Sequence, residues 1–488
     1  MVAKLFCDLG TGQLNLYQGL GRFTNADVQV RAITWPWLAE ARSFCASVTR
    51  GRVFRALTAA LVLMGIAALS YVAARRTVDF PVYHYAARKM LARTGPMYGP
   101  QSGIGWPQVY RYPPLFLLLF IPFALLPLRL AAIIWAALKF AALGLLARAL
   151  FSRLRTQGLG FPLLSFLPAL PYLALEFHYG NAQFFIFALA GAALLWVEER
   201  PVRAAGALAL AISIKVWPLF FVPYLVARKR TSVAGLAVAL TVVLTLLPAV
   251  YFGWHANASL LRQWADQELG VSSTAGEPAI VGFPSQSLHS VMMRFFVSLD
   301  YAALTDSNYP KVNLGDFDPR MVELLWSLLA AAGYAGLLFL ARRSKPDDLT
   351  LHSVAFCTLL LLQPFTQTGD LVILFWPIAV GVAALRDDTD LPAWTRAALC
   401  LAMAVMALKP LVPDRNALRL FQVLGVDFAA TLLLAAGLIG KYLRKPGAKP
   451  VSVISNELSL RLDPGAPSNS EAAASRGCAT GGVPSIYG

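Results

Sequence analysis

Charge is scarce in this chain of 488 residues: only 14% are Asp, Glu, Lys or Arg, against 57% hydrophobic. A soluble domain carries about a quarter of its residues as charges. With a mean hydropathy of +0.59, a soluble fold is excluded. Cysteine is sparse as well. Cys7, Cys45, Cys357, Cys400 and Cys478 are scattered without paired spacing, which excludes a disulfide framework and a cysteine zinc site. Apolar runs are lacking from the first fifty residues too. The first apolar run begins only near residue 54, behind Arg42, Arg50, Arg52 and Arg55, so it reads as an uncleaved first span rather than a signal peptide.

What the chain has in abundance is apolar runs. Stretches such as 56–73, 130–150, 232–253, 320–341 and 428–440 each approach the roughly 20 residues that cross a bilayer core. The formal net charge of +16 could suggest nucleic acid, but the basic residues cluster between apolar runs, which is the pattern of cytoplasmic loops. Arg50 to Arg55, Arg148 to Arg155, Arg203, Arg228 to Arg230, Arg342 to Lys345, Arg386 and Lys441 to Lys445 are therefore expected inside. Each pair of such loops must enclose an even number of crossings. This parity puts FHYGNAQ (177–183) at an outer turn, makes Lys215–Pro218 an outer meeting point of two short spans or a broken hairpin, and leaves 254–319 as the longest outer loop. It also denies a full crossing to YPPLFLLLFIPFALLP (112–127), which reads as a re-entrant or juxtamembrane half-helix.

The expected fold is thus an all-α polytopic membrane protein with about 12 transmembrane helices. Residues 1–53 form an N-terminal cytoplasmic extension, 54–442 the transmembrane domain with outer loops 74–129 and 254–319, and 443–488 a cytoplasmic tail. That tail is rich in Ser, Gly, Pro and Ala and is expected to be disordered. The protein is placed in the plasma (inner) membrane.

Unusual chemistry gathers in the outer loops: Asp79 and Tyr83, Arg111 and Tyr112, His178, Asn181 and Gln183, Lys215, Gln286, His289 and Arg294, and Asp370. Asp79, two residues before Pro81, fits a helix N-cap by local sequence; the same carboxylate, partly desolvated, could take a proton from an attacking hydroxyl. Lys215 interrupts an apolar hairpin and needs a partner. A phosphate would serve, as would snorkelling or pairing with Glu176. Arg111 and Arg294 are candidates for a phosphate headgroup, with helix anchoring as the plainer reading. His178, His289, Asn181, Gln183 and Gln286 could meet sugar hydroxyls or serve turns and caps. Asp316-Phe317-Asp318 has the look of a metal-binding Asp-x-Asp, but Asp318-Pro319 at a span's start is explained by capping. Lys139, Glu323 and Asp427 sit in apolar runs, where a transport pathway could use them.

The order of features resembles one family. An acidic residue after the first span precedes YRYPPLFLLLFIPFALLP, IIWAALKFAALGLLA, HYGNAQFFIFALAGAALL, RAAGALALAISIKVWPLFFVPYLVARKR and FPSQSLHSVMMRFF. From about Ala73 to Leu385 the chain resembles glycosyltransferase family 87, polyprenyl-phosphate-mannose-dependent mannosyltransferases of the GT-C class. The resemblance implies an external active site in which Asp79 is the essential acidic residue, and so it outweighs the cap. It implies donor or acceptor contacts at Tyr112, Asn181, Gln183, Lys215, Gln286 and Arg294. Where such proteins carry a Ser-Pro-x-Ser-Trp-x-His-His-like segment, this chain has QPFTQTGD (363–370). Its base is then Asp79, Asp370 or another group.

The activity implied is transfer of a sugar, with mannose expected, from a polyprenyl-phosphate donor to a lipid or glycan hydroxyl, with inversion. No cofactor, metal or nucleic acid is expected; the partners are the bilayer, the lipid-linked donor and a glycolipid or glycan acceptor. A transporter or lipid flippase, and a polysaccharide ligase or polymerase, remain the alternatives.

Overall fold

A computed structural model describes residues 52–444 except 76, 104–108, 155–159, 274–281, 283, 299–309 and 344–347. The chain divides into Met1–Leu443 and Arg444–Gly488, and every helix described belongs to the first unit. The expected extension and tail lie outside the described residues, apart from their junctions with the membrane part. Among the described residues all regular structure is helical.

Fifteen of the described helices have nine residues or more. They are α1 (Arg52–Arg75), α2 (Phe80–Ala92), α3 (Leu128–Arg153), α4 (Gly160–Tyr179), α5 (Gln183–Trp196), α6 (Pro201–Ile214), α7 (Thr231–Leu246), α8 (Trp254–Ser273), α9 (Leu288–Phe296), α10 (Pro319–Arg342), α11 (Asp348–Leu362), α12 (Phe375–Asp387), α13 (Ala393–Leu408), α14 (Arg415–Val423) and α15 (Val426–Leu443). Seven helical stretches among the described residues are long and apolar enough to cross a membrane; five apolar stretches of 10–17 residues accompany them. The seven are counted by length and composition among the described residues, and several of the shorter apolar runs end at proline, glycine or a polar turn. Residues 112–127 show this well. They form two stubs, Pro114–Leu119 and Ile121–Ala124, broken where Pro122 cannot donate a backbone hydrogen bond.

The bundle is built around the stretch Thr368–Asp387, which is almost wholly buried. It is packed by α4, α11, α13 and α15, while α5, α6 and α7 form a second row and α1 lies on α3. Burial elsewhere is low. Little of α10 is buried, although its residues are strongly apolar. Leu324, Leu325 and Leu328 are exposed, and a helix that is apolar on its open face is solvated by lipid rather than water. A second core cluster joins α2, the two stubs and the start of α3 through Phe80, Tyr83, Phe116, Phe120 and Trp135. It forms the floor on which the candidate site is built.

Candidate active site

The turn between α4 and α5 is the organising element. Gly180 has φ +69°, and a Cβ there would stand 2.8 Å from Cβ of Phe80, so both backbone conformation and close packing demand glycine. The Trp135 indole donates to the Gly180 carbonyl at 2.9 Å. One residue earlier, the carbonyl of Tyr179 accepts the backbone N–H groups of Val78 (3.2 Å) and Asp79 (2.9 Å). The segment leading into α2 is thereby stitched to the end of α4, and Asp79 is delivered beside Asn181.

Asp79 occupies the N-cap position of α2 without a capping hydrogen bond from its side chain. The cap suggested by local sequence is therefore replaced by a different contact: the Asn181 amide donates to Oδ2 of Asp79 at 2.9 Å. The other end of Asn181, Oδ1, accepts from the Tyr112 hydroxyl (3.0 Å), the Tyr83 hydroxyl (3.4 Å) and the backbone of Gln183 (3.0 Å). The single Tyr83 proton is shared between Asn181 and the Tyr112 oxygen, 3.1 Å away. This saturation orients the Asn181 amide, since only its nitrogen can face the carboxylate. Burial pushes the Asp79 carboxyl above its ordinary value; the Asn181 hydrogen bond and the charges of Lys139 and Lys215 pull it back, and Asp370 raises it. Burial likewise pushes both tyrosine hydroxyls well up, so they act as neutral donors.

Lys215 follows α6 in extended backbone conformation, because Pro218 and the short turn Trp217–Phe220 stop the helix from continuing. Its ammonium donates to Oε1 of Gln183 at 3.1 Å and lies 3.8 Å from Oδ1 of Asp370, with 35% of the side chain exposed. Trp217 shares the Gln183 oxygen through its indole N–H at 3.3 Å. Asp370 is buried, and its second oxygen accepts from the backbone of Gln367 at 2.9 Å in a capping box that opens the turn Thr368–Leu374. The sequence left Glu176 as a possible partner for Lys215. Glu176 instead pairs with Lys139, Nζ to Oε1 at 2.9 Å, and both side chains are 0% exposed.

The structure thus brings Asp79, Tyr83, Tyr112, Asn181, Gln183, Lys215 and Asp370 into one network. The other candidates lie elsewhere. Arg111 is held by both oxygens of Glu268 at 3.0 Å, and α8 fixes the neighbouring backbone through Gln267 to Tyr110 and Trp264 to Arg111. His178 is exposed at the end of α4. Gln286 and His289 are buried against the 363–366 segment, Gln286 through its backbone to the Thr366 carbonyl (2.7 Å) and His289 through Nδ1 to that of Pro364 (3.1 Å). Desolvation pushes His289 below its ordinary value, and its ring stacks on Trp326 at 4.3 Å. Arg294 is fully buried, with its guanidinium donating to the carbonyls of Val423, Gly282, Ser285 and Gln422. Asp318 accepts from the Arg320 backbone at 2.7 Å, the cap expected of it. Among the described residues no group of three or more His, Cys, Asp or Glu side chains gathers that could hold a metal ion.

The profile of glycosyltransferase family 87 matches residues 110–364, more than half of the chain and the segment that carries Tyr112, Asn181, Gln183 and Lys215. The chain belongs to glycosyltransferase family 87. Comparison with curated proteins and with solved structures returned no match. The family match is narrower than the resemblance read from Ala73 to Leu385, and Asp79, Tyr83 and Asp370 fall outside it. They join the family segment through contact: Asp79 and Tyr83 through Asn181, and Asp370 through Lys215. A family 87 membrane glycosyltransferase therefore has its best-organised polar cluster where the matched segment meets its two flanks.

Missing from the sequence reading were the roles of Trp135, Trp217 and the Lys139–Glu176 pair. The only available signal was an ionisable residue inside an apolar run, which is a default functional hint; it marked Lys139 without identifying its partner.

Proposed function

We propose that this family 87 glycosyltransferase moves mannose from a polyprenyl-phosphate donor to a lipid or glycan hydroxyl at the extracytoplasmic face of the plasma membrane. The observation that supports it best is the pairing of opposite charges by one turn: Asn181 holds the Asp79 carboxylate, and two residues later Gln183 holds the half-exposed Lys215 ammonium. Asp79 takes the proton from the acceptor hydroxyl, the acceptor oxygen bonds to the anomeric carbon, and the bond from that carbon to the phosphate oxygen breaks on the opposite face. The configuration is inverted. The phosphate leaves as a stable anion without an acid catalyst, and Lys215 receives its charge. Asp370 fixes the ammonium from the buried side. It replaces the histidines of the Ser-Pro-x-Ser-Trp-x-His-His-like pattern as a positioning group rather than as the base. The donor's tail stays in the bilayer along the broken segment 112–127.

Transport is the weaker reading. Lys139 and Asp427, two charges such a pathway would use, are each closed in a buried ion pair, Lys139 with Glu176 and Asp427 with Lys409. The deciding experiment supplies labelled polyprenyl-phosphate-mannose to membranes with and without the protein. A new mannosylated glycolipid or glycan that depends on the protein is expected. Movement of the donor across the bilayer with no new glycosidic bond would favour a flippase.

A further inference from the structure

The backbone just before the first stub cannot hold itself. Pro113 and Pro114 carry no N–H, and among the described residues no backbone N–H donates to the carbonyls of Tyr110, Arg111 or Tyr112. Each of the three accepts from a side chain instead: Tyr110 from the Gln267 amide (2.9 Å), Arg111 from the Trp264 indole (3.1 Å) and Tyr112 from the Tyr98 hydroxyl (2.9 Å). Three successive polar groups are thereby satisfied one by one. Two of the three donors belong to α8, 157 and 153 residues away in sequence.

The same face of α8 does more. Trp264, Gln267 and Glu268 stand at i, i+3 and i+4, so they share one side of the helix. The Gln267 oxygen accepts the Gly99 amide at 2.8 Å, so one side chain joins Gly99 to Tyr110. Glu268 grips the Arg111 guanidinium with both oxygens, a bidentate fit that fixes orientation as well as distance. That guanidinium lies over the Phe365 ring, 5.2 Å from its centroid, in the segment that leads to Asp370. α8 supplies no group to the charge network, yet this face ends on the backbone that presents Tyr112. We propose that α8 is a strap that holds Tyr112 against Asn181, with Trp264, Gln267 and Glu268 as positioning residues. Tyr112 donates to Oδ1 of Asn181 at 3.0 Å, and the Asn181 nitrogen donates to Asp79 at 2.9 Å. Two hydrogen bonds therefore connect the strapped segment to the carboxylate. The Tyr112 ring also stacks on Phe116 at 4.6 Å; stacking tolerates offset, whereas bonds to three successive carbonyls fix the reach of the hydroxyl. The kinetic consequence rests on the reading of Asp79 as the base, and the strap itself does not.

Hydroxyl-radical footprinting of the full-length protein, read by mass spectrometry, reports the exposure of each tyrosine. Tyr110 and Tyr112 are buried beside the strap, and Tyr172 and Tyr224 are buried in the main core of the bundle. Gln267→Leu keeps much of the side chain's volume and removes its bonds to Gly99 and Tyr110. It is expected to raise modification of Tyr110 and Tyr112 several-fold while Tyr172 and Tyr224 stay protected. Trp264→Phe, which removes an N–H and keeps an aromatic ring, is expected to act in the same direction and carries the test if Gln267→Leu does not fold. In the transfer assay each variant is expected to lower kcat roughly 2- to 10-fold, the effect of a lost hydrogen bond. Neither should cost anything further once Tyr112→Phe has removed the hydroxyl through which the strap acts. Unchanged Tyr110 and Tyr112 in a folded variant overturn the strap. Losses that multiply with that of Tyr112→Phe overturn the positioning role, because α8 then acts by another route. A wild-type protein that transfers no mannose, with the expected footprints in the variants, leaves the strap standing and removes the mannose-donor reading, which keeps the two failures apart.

Discussion

At the scale of single residues, Asp79 combines a functional demand with a structural cost. Burial raises its proton affinity, and the Asn181 amide, Lys139 and Lys215 only partly offset this. A carboxyl raised in the folded state makes folding less favourable as pH climbs from the unfolded value through the folded one, with the loss complete above both. Asp79→Asn removes that cost and can still accept from Asn181 through its amide oxygen. It is therefore expected to keep or raise the thermal midpoint at neutral pH while lowering kcat by a factor on the order of 10²–10⁴. Thermal unfolding in detergent alongside the labelled-donor assay checks both halves. Substantial residual transfer would sink the assignment of the base. The same pKa direction sets the pH profile: kcat/KM is expected to fall as pH drops through a limb shifted up from the ordinary aspartate value, because the protonated carboxyl cannot accept the acceptor's proton.

Among the elements, the short turn from Tyr179 to Gln183 does more than any helix. It binds the entry to α2 through the Tyr179 carbonyl, the start of α3 through Trp135, and both charged groups through Asn181 and Gln183. Gly180→Ala must place a Cβ against Phe80 while holding φ at +69°, and the left-handed backbone alone costs about 1–2 kcal/mol. The displacement of Asp79 matters more. A shift of about 1 Å in a reacting group lowers rate on the order of 100-fold, so kcat/KM should fall far more than the modest drop in thermal midpoint implies. A loss of activity no larger than the loss of folded protein would remove the turn's positioning role.

Parts of this element were legible in advance: FHYGNAQ interrupts two apolar runs, and a polar break with glycine and asparagine reads as a turn. The break at Lys215 was visible for the same reason. What the sequence could not supply was the identity of partners. Lys139 and Lys215 are both isolated cations in apolar runs of the sequence, Glu176 is within reach of either by pattern, and only three-dimensional packing awards it to Lys139. Arg294 shows the converse problem. An arginine flanked by aromatics at a membrane boundary suits a phosphate, yet carbonyls at the end of α14 and around Ser285 surround it, and nothing local in the sequence announces them.

For the whole molecule, the decisive property is that the network gathers at one end of the bundle. Asp79 precedes α2, Asn181 precedes α5, Lys215 ends α6 and Asp370 precedes α12; α5 then runs 14 residues away from the site to Trp196, about 21 Å at helical rise. Arg200 lies beyond that far end, on the side where basic residues cluster. The enzyme's orientation therefore reduces to which of two exposed positions faces the outside. His178 is exposed at the site end and Arg200 at the other. Single cysteines at these positions, in a protein whose five native cysteines are replaced, can be probed with a membrane-impermeant maleimide on intact cells. His178→Cys is expected to label without permeabilisation and Arg200→Cys only after it. The reverse pattern would put the charge network in the cytoplasm. Nucleotide-linked donors would then be accessible to it, and a lipid-linked donor would lose its rationale.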